Sequence, residues 1–518
     1  MPERSIRLVL TVANQVAPRR AEHPSLEGYL RGRLTDEQLA RPLLVSFSQW
    51  DITTRAVAEI AATLHEMGQH PTVALWANDT LVKDVGWSTS RGVSKLLRSS
   101  PRDVRVEQGL RALGLPSEAF ARPPIAKWAP QGEIPQVNIP HRTGIRALTY
   151  RGTPMGRAIL QVNPDRETPV TDEFLWPRNW VDACARSYAY AFDQALALMQ
   201  KIDATCIIVF NGRFLHDFAA GSAGETLGLP VLSYDFGGND TDFDLTIDAT
   251  HDWSALQRRM LTMYEHWPSP ERDEIGSQWF VERMQHVDPR NSLFVESQVI
   301  GEGIGKEEGT RIIGFFSSSG DEISELDLDW AEYFHNQPEA LKSIAEICRD
   351  LPNTKLLVRT HPHLRVKPRL DVRDWHAAVE AAGPDIHLDE FSPIDSYTLM
   401  RQVDVVVTYG STTGVEAGFA KRPVVVLGPS AYDELGCAVR PQGIEGLRQA
   451  IEQPSVGSWE GAVAYGLMMR RRGFLHKHVT STPDGRWSLG GVPLDDASPT
   501  VLKVSDVLGR WQRRRLTK

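Results

Sequence analysis

Short runs of apolar residues, bounded by glycine, proline and polar residues, recur along the chain and predict buried β-strands. In the second half, residues 355–358 and 404–407 are two such runs, and residues 424–427 form a third after a helix-length segment. A strand, a helix and a strand in succession predict parallel strands joined by a crossover helix. With the apolar runs at 311–316 and 386–388, this half is predicted to hold a sheet of about five strands.

The first half shows the same alternation of strands and helices. Predicted strands cover residues 6–12, 43–47, 72–76, 206–210 and 231–234. Predicted helices cover residues 52–67, 102–114, 181–199 and 214–227. Residues 121–173 are rich in Pro, Gly and Arg and lack a clear period, so they are predicted to form an irregular excursion within this half.

A chain of 518 residues exceeds one ordinary hydrophobic core, so two or more domains are expected. We place the boundary at the glycine-rich and charged residues 301–309. The predicted units are an N-terminal Rossmann-like domain at 1–300, a C-terminal Rossmann-like domain at 310–475, and a tail at 476–518 that packs back on the first domain. The fold class is α/β, with two parallel sheets that face each other across a cleft.

Composition excludes several classes of protein. The net charge of −9 argues against nucleic acid as the main partner. The 4 cysteines form no CxxC pair, which is typical of a reducing compartment and excludes a disulfide framework. Residues 1–12 lack a signal-peptide core, and no apolar run reaches the roughly 20 residues of a spanning helix. We therefore expect a cytoplasmic protein, located at most at the inner face of a membrane.

Polar residues follow three of the predicted strands of the second half, at the sheet edge where open parallel sheets bind ligands. Arg359 and His361 follow the 355–358 strand, and Pro362 holds His361 extended, so its imidazole can donate to a phosphate oxygen. Ser317 and Ser318 follow the 311–316 strand. The alternative is an ordinary His-Pro turn with a solvated or buried histidine, beside a serine-rich loop that binds nothing.

Ser411, Thr412 and Thr413 follow the 404–407 strand and precede a predicted helix. Hydroxyl residues at that position cap helices, and the helix end offers N–H groups to an anion. Glu416 lies in the first helical turn, where it either satisfies the helix dipole or accepts hydrogen bonds from a ribose. The alternative is a capped turn without a ligand. Neither GxGxxG nor the GK[ST] of a Walker loop is present at this position.

Four segments of the second half are similar to GT-B glycosyltransferases, and most of all to bacterial capsule and surface-polysaccharide enzymes of the Kdo-transferase-like and sialyltransferase-like families. The segments are residues 315–322, 358–362, 404–417 and 422–428. The resemblance covers roughly residues 310–436 and is thin over the first half. It implies a GT-B fold and a glycosyltransferase that takes a nucleotide-sugar, often of cytidine type, as donor substrate and a glycan as acceptor. It also implies that residues 1–300 form the acceptor domain and residues 310–475 the nucleotide-donor domain.

The resemblance also implies particular roles. His361, Ser411 and Thr412 would contact the nucleotide phosphate, and Glu416 would contact the ribose. Arg422 stands before Pro423 where glycine and lysine are usual in the family, a departure without consequence for the site.

An inverting enzyme needs an N-terminal carboxylate to take the acceptor proton. Asp235 is the first candidate, followed by Asp217 and Asp51, although an ordinary cap or surface charge is the simpler interpretation of each. A retaining enzyme would need no such base. We expect no cofactor and no obligatory metal, because the acidic pairs at 240–244 and 327–329 are interpreted as solvated loop charges.

Three other functions fit the same residues. A CDP-polyol phosphotransferase of the teichoic-acid type would form a phosphodiester, a GT-B sugar-nucleotide epimerase would need no acceptor, and a non-catalytic relative would bind nucleotide or glycan without turnover. The basic segment 510–515 also predicts an amphipathic helix, which either makes a weak peripheral membrane contact or packs on the first domain.

Overall fold

The computed structural model describes residues 25–47, 51–76, 101–121, 128–137, 140–162, 174–239, 241–249, 252–288, 291–319, 333–481 and 486–494. Several predictions lie outside these ranges. They are the strand at 6–12, Asp240 of the acidic pair at 240–244, the acidic pair at 327–329 and the basic segment at 510–515. The side chain of Asp51 is also outside the described part of the chain.

The first half alternates strands and helices as predicted. Its helices are α1 (Leu26–Arg33), α2 (Asp36–Leu39), α3 (Asp51–Glu66), α4 (Pro101–Ala112), α5 (Arg142–Arg146), α6 (Met155–Leu160), α7 (Arg178–Ile202), α8 (Leu215–Thr226), α9 (Trp253–His266), α10 (Glu271–Met284) and α11 (Ser292–Val295). Its strands are β1 (Pro42–Ser46), β2 (Thr72–Leu75), β3 (Cys206–Phe210), β4 (Val231–Phe236) and β5 (Asp242–Thr246).

The second half continues the alternation. Its helices are α12 (Gln337–Asp350), α13 (Arg369–Ala382), α14 (Ser396–Gln402), α15 (Thr413–Phe419), α16 (Gly443–Glu452) and α17 (Trp459–Arg471). Its strands are β6 (Arg311–Phe316), β7 (Thr354–Arg359), β8 (Ile386–Leu388), β9 (Val405–Thr408), β10 (Val424–Val426), β11 (Phe474–Leu475), β12 (Val479–Ser481), β13 (Trp487–Leu489) and β14 (Val492–Pro493).

The first sheet has the order β2-β1-β3-β4-β5-β11 within the described residues. Strands β1 to β4 are parallel. At one edge β5 runs antiparallel to β4, and β11 runs antiparallel to β5. The parallel part has the order two-one-three-four, which is that of a doubly wound sheet of the flavodoxin type.

The second sheet has the order β8-β7-β6-β9-β10, and all of its described strands are parallel. Numbered within this sheet from β6 as one to β10 as five, the order is three-two-one-four-five, which is that of one half of a Rossmann fold. The strand order reverses between β6 and β9, and ligands of open α/β sheets bind at such a switch point, outside the carboxyl ends of the strands.

The strands are buried on both faces, as parallel strands between helical layers must be. In β1, Leu43 and Val45 pack into one core on one face, while Leu44 packs into a second core on the other. In β6, Ile313 and Phe315 pack into one core, whereas their neighbours Ile312 and Phe316 pack into another core on the opposite face. The two doubly wound sheets confirm the α/β fold class predicted from the sequence.

One sequence interpretation is wrong. Asp242 and Asp244 were expected to be solvated loop charges, but they lie on β5 and are 0% and 6% exposed. Phe243 and Leu245 alternate with them along β5 and pack into the core, so the two carboxylates are buried together with the strand. The Asn239 amide donates to Asp242 at 2.6 Å and Arg259 donates to Asp244 at 2.8 Å, which satisfies both.

The end of the described chain returns to the first half. Helix α17 packs along α10, β11 pairs with β5, and Glu59 of α3 accepts the backbone N–H of Val479 at 2.9 Å. The domain boundary at 301–309 stays a prediction. Over the described residues, no helix combines the length and apolarity needed to cross a membrane.

Candidate active site

Three strand ends of the second sheet lie at the same level. Phe316 of β6 pairs with Arg359 of β7 on one side and with Thr408 of β9 on the other. The residues that follow these strands therefore meet at one edge, on both sides of the switch point. We call Ser317, His361 and Ser411 the strand-end cluster.

His361 caps a short 3-10 turn at Pro362–Val366. Its Nδ1 accepts the backbone N–H of His363 at 3.1 Å. A backbone amide can only donate, so in the neutral imidazole Nδ1 has no proton and Nε2 carries it. The ring of Phe294 packs edge-on against both His361 and His363, with centroids 5.5 Å away in each case. The turn thus fixes a neutral tautomer whose Nε2–H is a hydrogen-bond donor.

The serines after β6 connect the neighbouring loops. Ser317 is 3% exposed, and its hydroxyl accepts the backbone N–H of His361 at 2.7 Å. Its own N–H donates to the carbonyl of Arg359 at 3.1 Å. Ser318 is turned toward α12, where its N–H donates to Gln337 Oε1 at 2.7 Å. Ser317 therefore positions the histidine loop, and Ser318 ties this strand end to a helix.

The loop after β9 is held from three sides. The Ser411 N–H donates to the Thr408 hydroxyl at 2.9 Å, and Tyr432 donates to the Ser411 carbonyl at 2.6 Å. Gly410 has φ +80°, and a Cβ there would lie 2.1 Å from the Pro429 carbonyl oxygen. This loop needs glycine at that point because no larger residue would fit. Burial raises the pKa of Tyr432 well above its ordinary value, so its hydroxyl stays a donor.

The hydroxyl residues before α15 differ in exposure. Ser411 donates its hydroxyl to Thr413 Oγ1 at 3.2 Å, and the Thr413 N–H donates back to Ser411 Oγ at 3.3 Å. Thr412 is exposed and makes no side-chain capping bond to the helix. The predicted phosphate contacts of Ser411, Thr412 and Thr413 remain predictions, with Thr412 the most accessible of the three.

Arg359 is buried, and the phosphate contact predicted for it stays a prediction. Its side chain is 2% exposed and donates to the carbonyls of Asp389 at 2.7 Å and Ser392 at 3.2 Å. Burial lowers the pKa of this guanidinium to about 10. The side chain therefore supports the loop after β8 from within, instead of presenting its charge at the sheet edge.

Glu416 lies in a buried ion pair. Its Oε1 accepts from Arg283 of α10 at 2.7 Å and from the Tyr397 hydroxyl at 3.1 Å, and the residue is 3% exposed. Arg283 also packs over the Trp279 ring at 4.6 Å. The ribose contact of Glu416 stays a prediction, and a ribose would share this carboxylate with Arg283.

Asp235 lies at the carboxyl edge of the first sheet. Asn211, with φ +55°, donates its side-chain amide to Asp235 Oδ2 at 2.6 Å, and the Phe236 N–H donates to Oδ1 at 2.7 Å. Burial raises the pKa of Asp235, against the charge of Arg472, which lowers it. A raised carboxyl pKa suits a general base. Within the described residues, no hydrogen bond joins Asp235 to the strand-end cluster.

Asp217, the second candidate base, is 2% exposed in the first turn of α8. Burial raises the pKa of nearby Tyr234, and the negative charge of Asp217 is the second largest cause of that rise. A carboxylate that is buried this deeply is poorly placed to take a proton from a sugar hydroxyl. In the part of the chain that the structure describes, no group of three or more His, Cys, Asp or Glu side chains could hold a metal ion. Metal independence stays a prediction.

Hydrogen-bonding groups meet at this sheet edge. The strand-end cluster supplies a neutral imidazole donor and hydroxyls held by backbone bonds, and the exposed Thr412 lies beside it. These groups are positioned before any ligand arrives, which is the property that stabilises charge developing on a leaving group.

Residues 331–452 match the family model described as "Capsule polysaccharide biosynthesis protein". The matched segment contains His361, Ser411 and Glu416, and it confirms the resemblance to capsule enzymes over this part of the chain. No curated protein matches the sequence.

Solved structures resemble the chain only loosely. A β-Kdo 2,7-transferase, KpsC of Thermosulfurimonas dismutans, is 17% identical, with a TM-score of 0.32, over 53% of this chain and 80% of its own. The UDP-GlcNAc 2-epimerase of Neisseria meningitidis is 12% identical, with a TM-score of 0.24, over 83% and 96%. MurG of Acinetobacter baumannii is 11% identical, with a TM-score of 0.24, over 84% and 96%. Scores this low assign neither fold nor activity, and the fold rests on the strand orders above.

Sequence analysis missed two residues that hold the site together. Tyr432 fixes the Ser411 carbonyl, and Arg283 holds Glu416 from 133 residues away in the chain. Neither residue stands in a strand-end motif, so no local pattern could have singled it out.

Proposed function

We propose that the protein is a glycosyltransferase of capsule or surface-polysaccharide synthesis. It would move a sugar from a nucleotide-activated donor to a growing glycan. The observation that carries the proposal is the strand-end cluster at the switch point of a Rossmann-ordered sheet, inside the segment that matches the capsule family model. A cytidine-type donor is favoured because the His-Pro and Ser/Thr motifs resemble those of cytidine-donor enzymes.

In the proposed reaction, an acceptor hydroxyl oxygen bonds to the anomeric carbon of the donor sugar while the bond from that carbon to the phosphate oxygen breaks. The leaving nucleotide takes the bonding electrons and gains negative charge. The Nε2–H of His361 would donate to that phosphate, and Ser317 would keep the histidine loop in place. In an inverting reaction, Asp235 would take the hydroxyl proton.

A thermal-shift screen of CMP, CDP, UDP, GDP and ADP against the full-length protein tests the proposal. Binding to the native state raises the melting temperature in proportion to ln(1 + [L]/Kd). A cytidine nucleotide should give the largest shift, and His361→Asn should reduce it. If no nucleotide raises the melting temperature of the wild-type protein, the proposed donor site is wrong.

The predicted metal independence and the predicted cytoplasmic location are part of this proposal as well.

Product analysis separates transfer from the other reactions. A glycosidic product with release of the nucleotide supports transfer. A phosphodiester product would indicate a polyol phosphotransferase instead, and free sugar formed without acceptor would indicate an epimerase.

A further inference from the structure

Thr360 directly precedes His361 and is 0% exposed. Its backbone N–H donates to the Leu388 carbonyl at 2.8 Å, which continues the pairing of β7 with β8 beyond the last residue of β7. Side chains two residues apart in a strand lie on the same face, so Thr360 shares a face with Val358. Val358 pairs with His387 of β8, and the imidazole of His387 therefore lies beside Thr360.

Helix α13 covers this face of the second sheet. Trp375 of α13 packs into the same core as Val358, and its ring stacks on that of Phe315 with centroids 6.3 Å apart. The indole Nε1–H of Trp375 donates to the Thr360 hydroxyl oxygen at 3.0 Å. An indole nitrogen can only donate, so this bond takes one acceptor position of the hydroxyl and leaves its proton for another partner.

His387 is the partner for that proton. Its Nε2 lies 3.0 Å from the Thr360 hydroxyl oxygen, and it is the acceptor within hydrogen-bond distance of this hydroxyl among the described residues. Buried hydroxyls nearly always have their hydrogen bonds satisfied, so the hydroxyl donates to Nε2. A neutral imidazole that accepts at Nε2 carries its own proton on Nδ1. Thr360 thus joins α13 to β8 directly before the histidine of the strand-end cluster.

The surroundings of His387 favour its neutral form. Burial lowers the pKa of His387, and the positive charge of His376 lowers it further, against Asp389 and Glu390, which raise it. His376 of α13 lies with its Nε2 2.9 Å from Glu390 Oε2, and Glu390 is buried. The face of β7 presents the uncharged Val358 to the ring. At neutral pH the imidazole is therefore uncharged and can accept the threonine proton.

Protonation of His387 would break this arrangement. An imidazolium carries a proton on both nitrogens, so Nε2 changes from an acceptor into a donor. The Thr360 oxygen would then face two donors, and its own proton would lose its acceptor, which is unfavourable in a buried place. The carboxylates of Asp389 and Glu390 attract the new cation away from the threonine. The bond from Thr360 to β8 is therefore made by the neutral ring.

We propose that His387 is a positioning residue for the histidine loop, residues 360–366: its neutral ring holds Thr360 and thereby His361, and protonation of the ring releases this hold. The effect on nucleotide binding rests on the proposed function, because His361 is there the donor to the phosphate. Mildly acid solution should then weaken binding through His387. Release of the loop itself needs no ligand, so the two effects can be measured separately.

Nuclear magnetic resonance of the full-length protein with isotope-labelled histidine tests the first effect, in a titration from about pH 8 to pH 5 without ligand. His387→Gln keeps an acceptor near the Nε2 position at every pH. His70→Gln is its matched control, because His70 is an exposed histidine of the first half. We expect the neutral His387 ring to carry its proton on Nδ1. The signals of His361 should show a step at the midpoint of the His387 titration, in the wild type and in His70→Gln but not in His387→Gln.

His376→Gln checks the electrostatic part of the proposal. The glutamine amide can still donate to Glu390, but the positive charge near His387 is gone. The His387 midpoint and the His361 step should therefore move together to higher pH. A His361 step that stays in place while the His387 midpoint moves would overturn the coupling.

Calorimetry with CMP tests the second effect over the same range of pH. The phosphate of CMP itself titrates near pH 6, so the wild type is compared with His387→Gln at each pH. Relative to that variant, the wild type should lose about tenfold in affinity between the neutral and the acid end of the range. His70→Gln should follow the wild type.

The proposal is overturned if neutral His387 carries its proton on Nε2, if the His361 step persists in His387→Gln, or if CMP affinity depends on pH equally in the wild type and His387→Gln. If His387→Gln does not fold, Thr360→Val replaces it, because it removes the hydroxyl and should abolish the His361 step. If CMP binds at no pH while the His361 step follows His387, the proposed donor site is refuted and the positioning of the loop is supported.

Discussion

The hydroxyl of Ser317 accepts the backbone N–H of His361 at 2.7 Å, which joins the ends of two neighbouring strands at the proposed phosphate site. Removing a buried acceptor leaves its donor without a partner and costs about 1–3 kcal/mol. We expect Ser317→Ala to lower the free energy of unfolding by that amount in urea titrations and to weaken nucleotide binding. Ser318→Ala is the control, because the backbone N–H of Ser318 keeps its bond to Gln337. Equal effects of the two substitutions would contradict the positioning role of Ser317.

The two nitrogens of His361 have separate tasks, and two substitutions can separate them. His361→Asn keeps an acceptor near Nδ1 for the His363 N–H but loses the donor at Nε2. His361→Gln keeps a donor near Nε2. We expect His361→Asn to fold normally and to lose roughly 10²-fold in kcat/KM, the usual effect of losing a donor to developing charge. His361→Gln should retain more activity. Wild-type turnover in His361→Asn would remove the imidazole from the mechanism.

If Asp235 is the general base, its raised pKa sets the position of the acid limb in the profile of kcat/KM against pH. A general base works only when it is deprotonated, so kcat/KM should rise with pH through this pKa, which lies above that of an ordinary aspartate. Asn211→Ala removes the amide that stabilises the charged form, so it should move the limb to still higher pH. A rate that is independent of pH in the acidic range would argue for a reaction without this base.

The same carboxyl predicts how stability depends on pH. Because its folded-state pKa is raised, the native state holds the proton to higher pH than the unfolded state does. The contribution of Asp235 is therefore fully present below the ordinary aspartate pKa and is lost as pH rises through the raised value. Asp235→Asn should remove this loss. The unfolding free energies of the variant and the wild type are measured by urea titration over a range of pH. The variant should become more stable relative to the wild type as pH rises. A difference that does not change with pH would contradict the raised pKa of Asp235.

Arg283 and Glu416 predict a non-additive stability effect. Arg283→Met leaves the Glu416 charge buried without its cation, which should cost roughly 3 kcal/mol. Glu416→Gln removes the charge but keeps an oxygen for the Tyr397 hydroxyl. The double variant should therefore be more stable than Arg283→Met alone, and a double-mutant cycle measures the coupling. Additive effects would show that the ion pair contributes nothing specific.

Metal independence can be tested directly. We expect transfer activity to persist in excess EDTA, because His361 and the loop hydroxyls would take the place of a cation. Loss of activity on chelation, restored by Mg²⁺ or Mn²⁺, would contradict this and would direct attention to the acidic residues at 327–329.

The sequence alone determined which segments form strands and which polar residues follow them. The apolar runs at β6, β7, β8, β9 and β10 appear in the structure within one or two residues of their predicted bounds. This works because the apolar period and the turn residues are local properties of the chain. For the same reason, the sequence could place His361 and Ser411 at strand ends but could not say that Ser317 lies between their loops.

Only the tertiary structure decided where the side chains point and what they contact. Arg359 follows a strand like His361, yet its guanidinium is buried under the loop after β8. Glu416 meets a cation from 133 residues away, and Asp242 and Asp244 are drawn into a sheet by the core residues between and beside them. Such outcomes depend on partners that are distant in sequence, and on the cost of burying a charge without one. No local pattern contains that information.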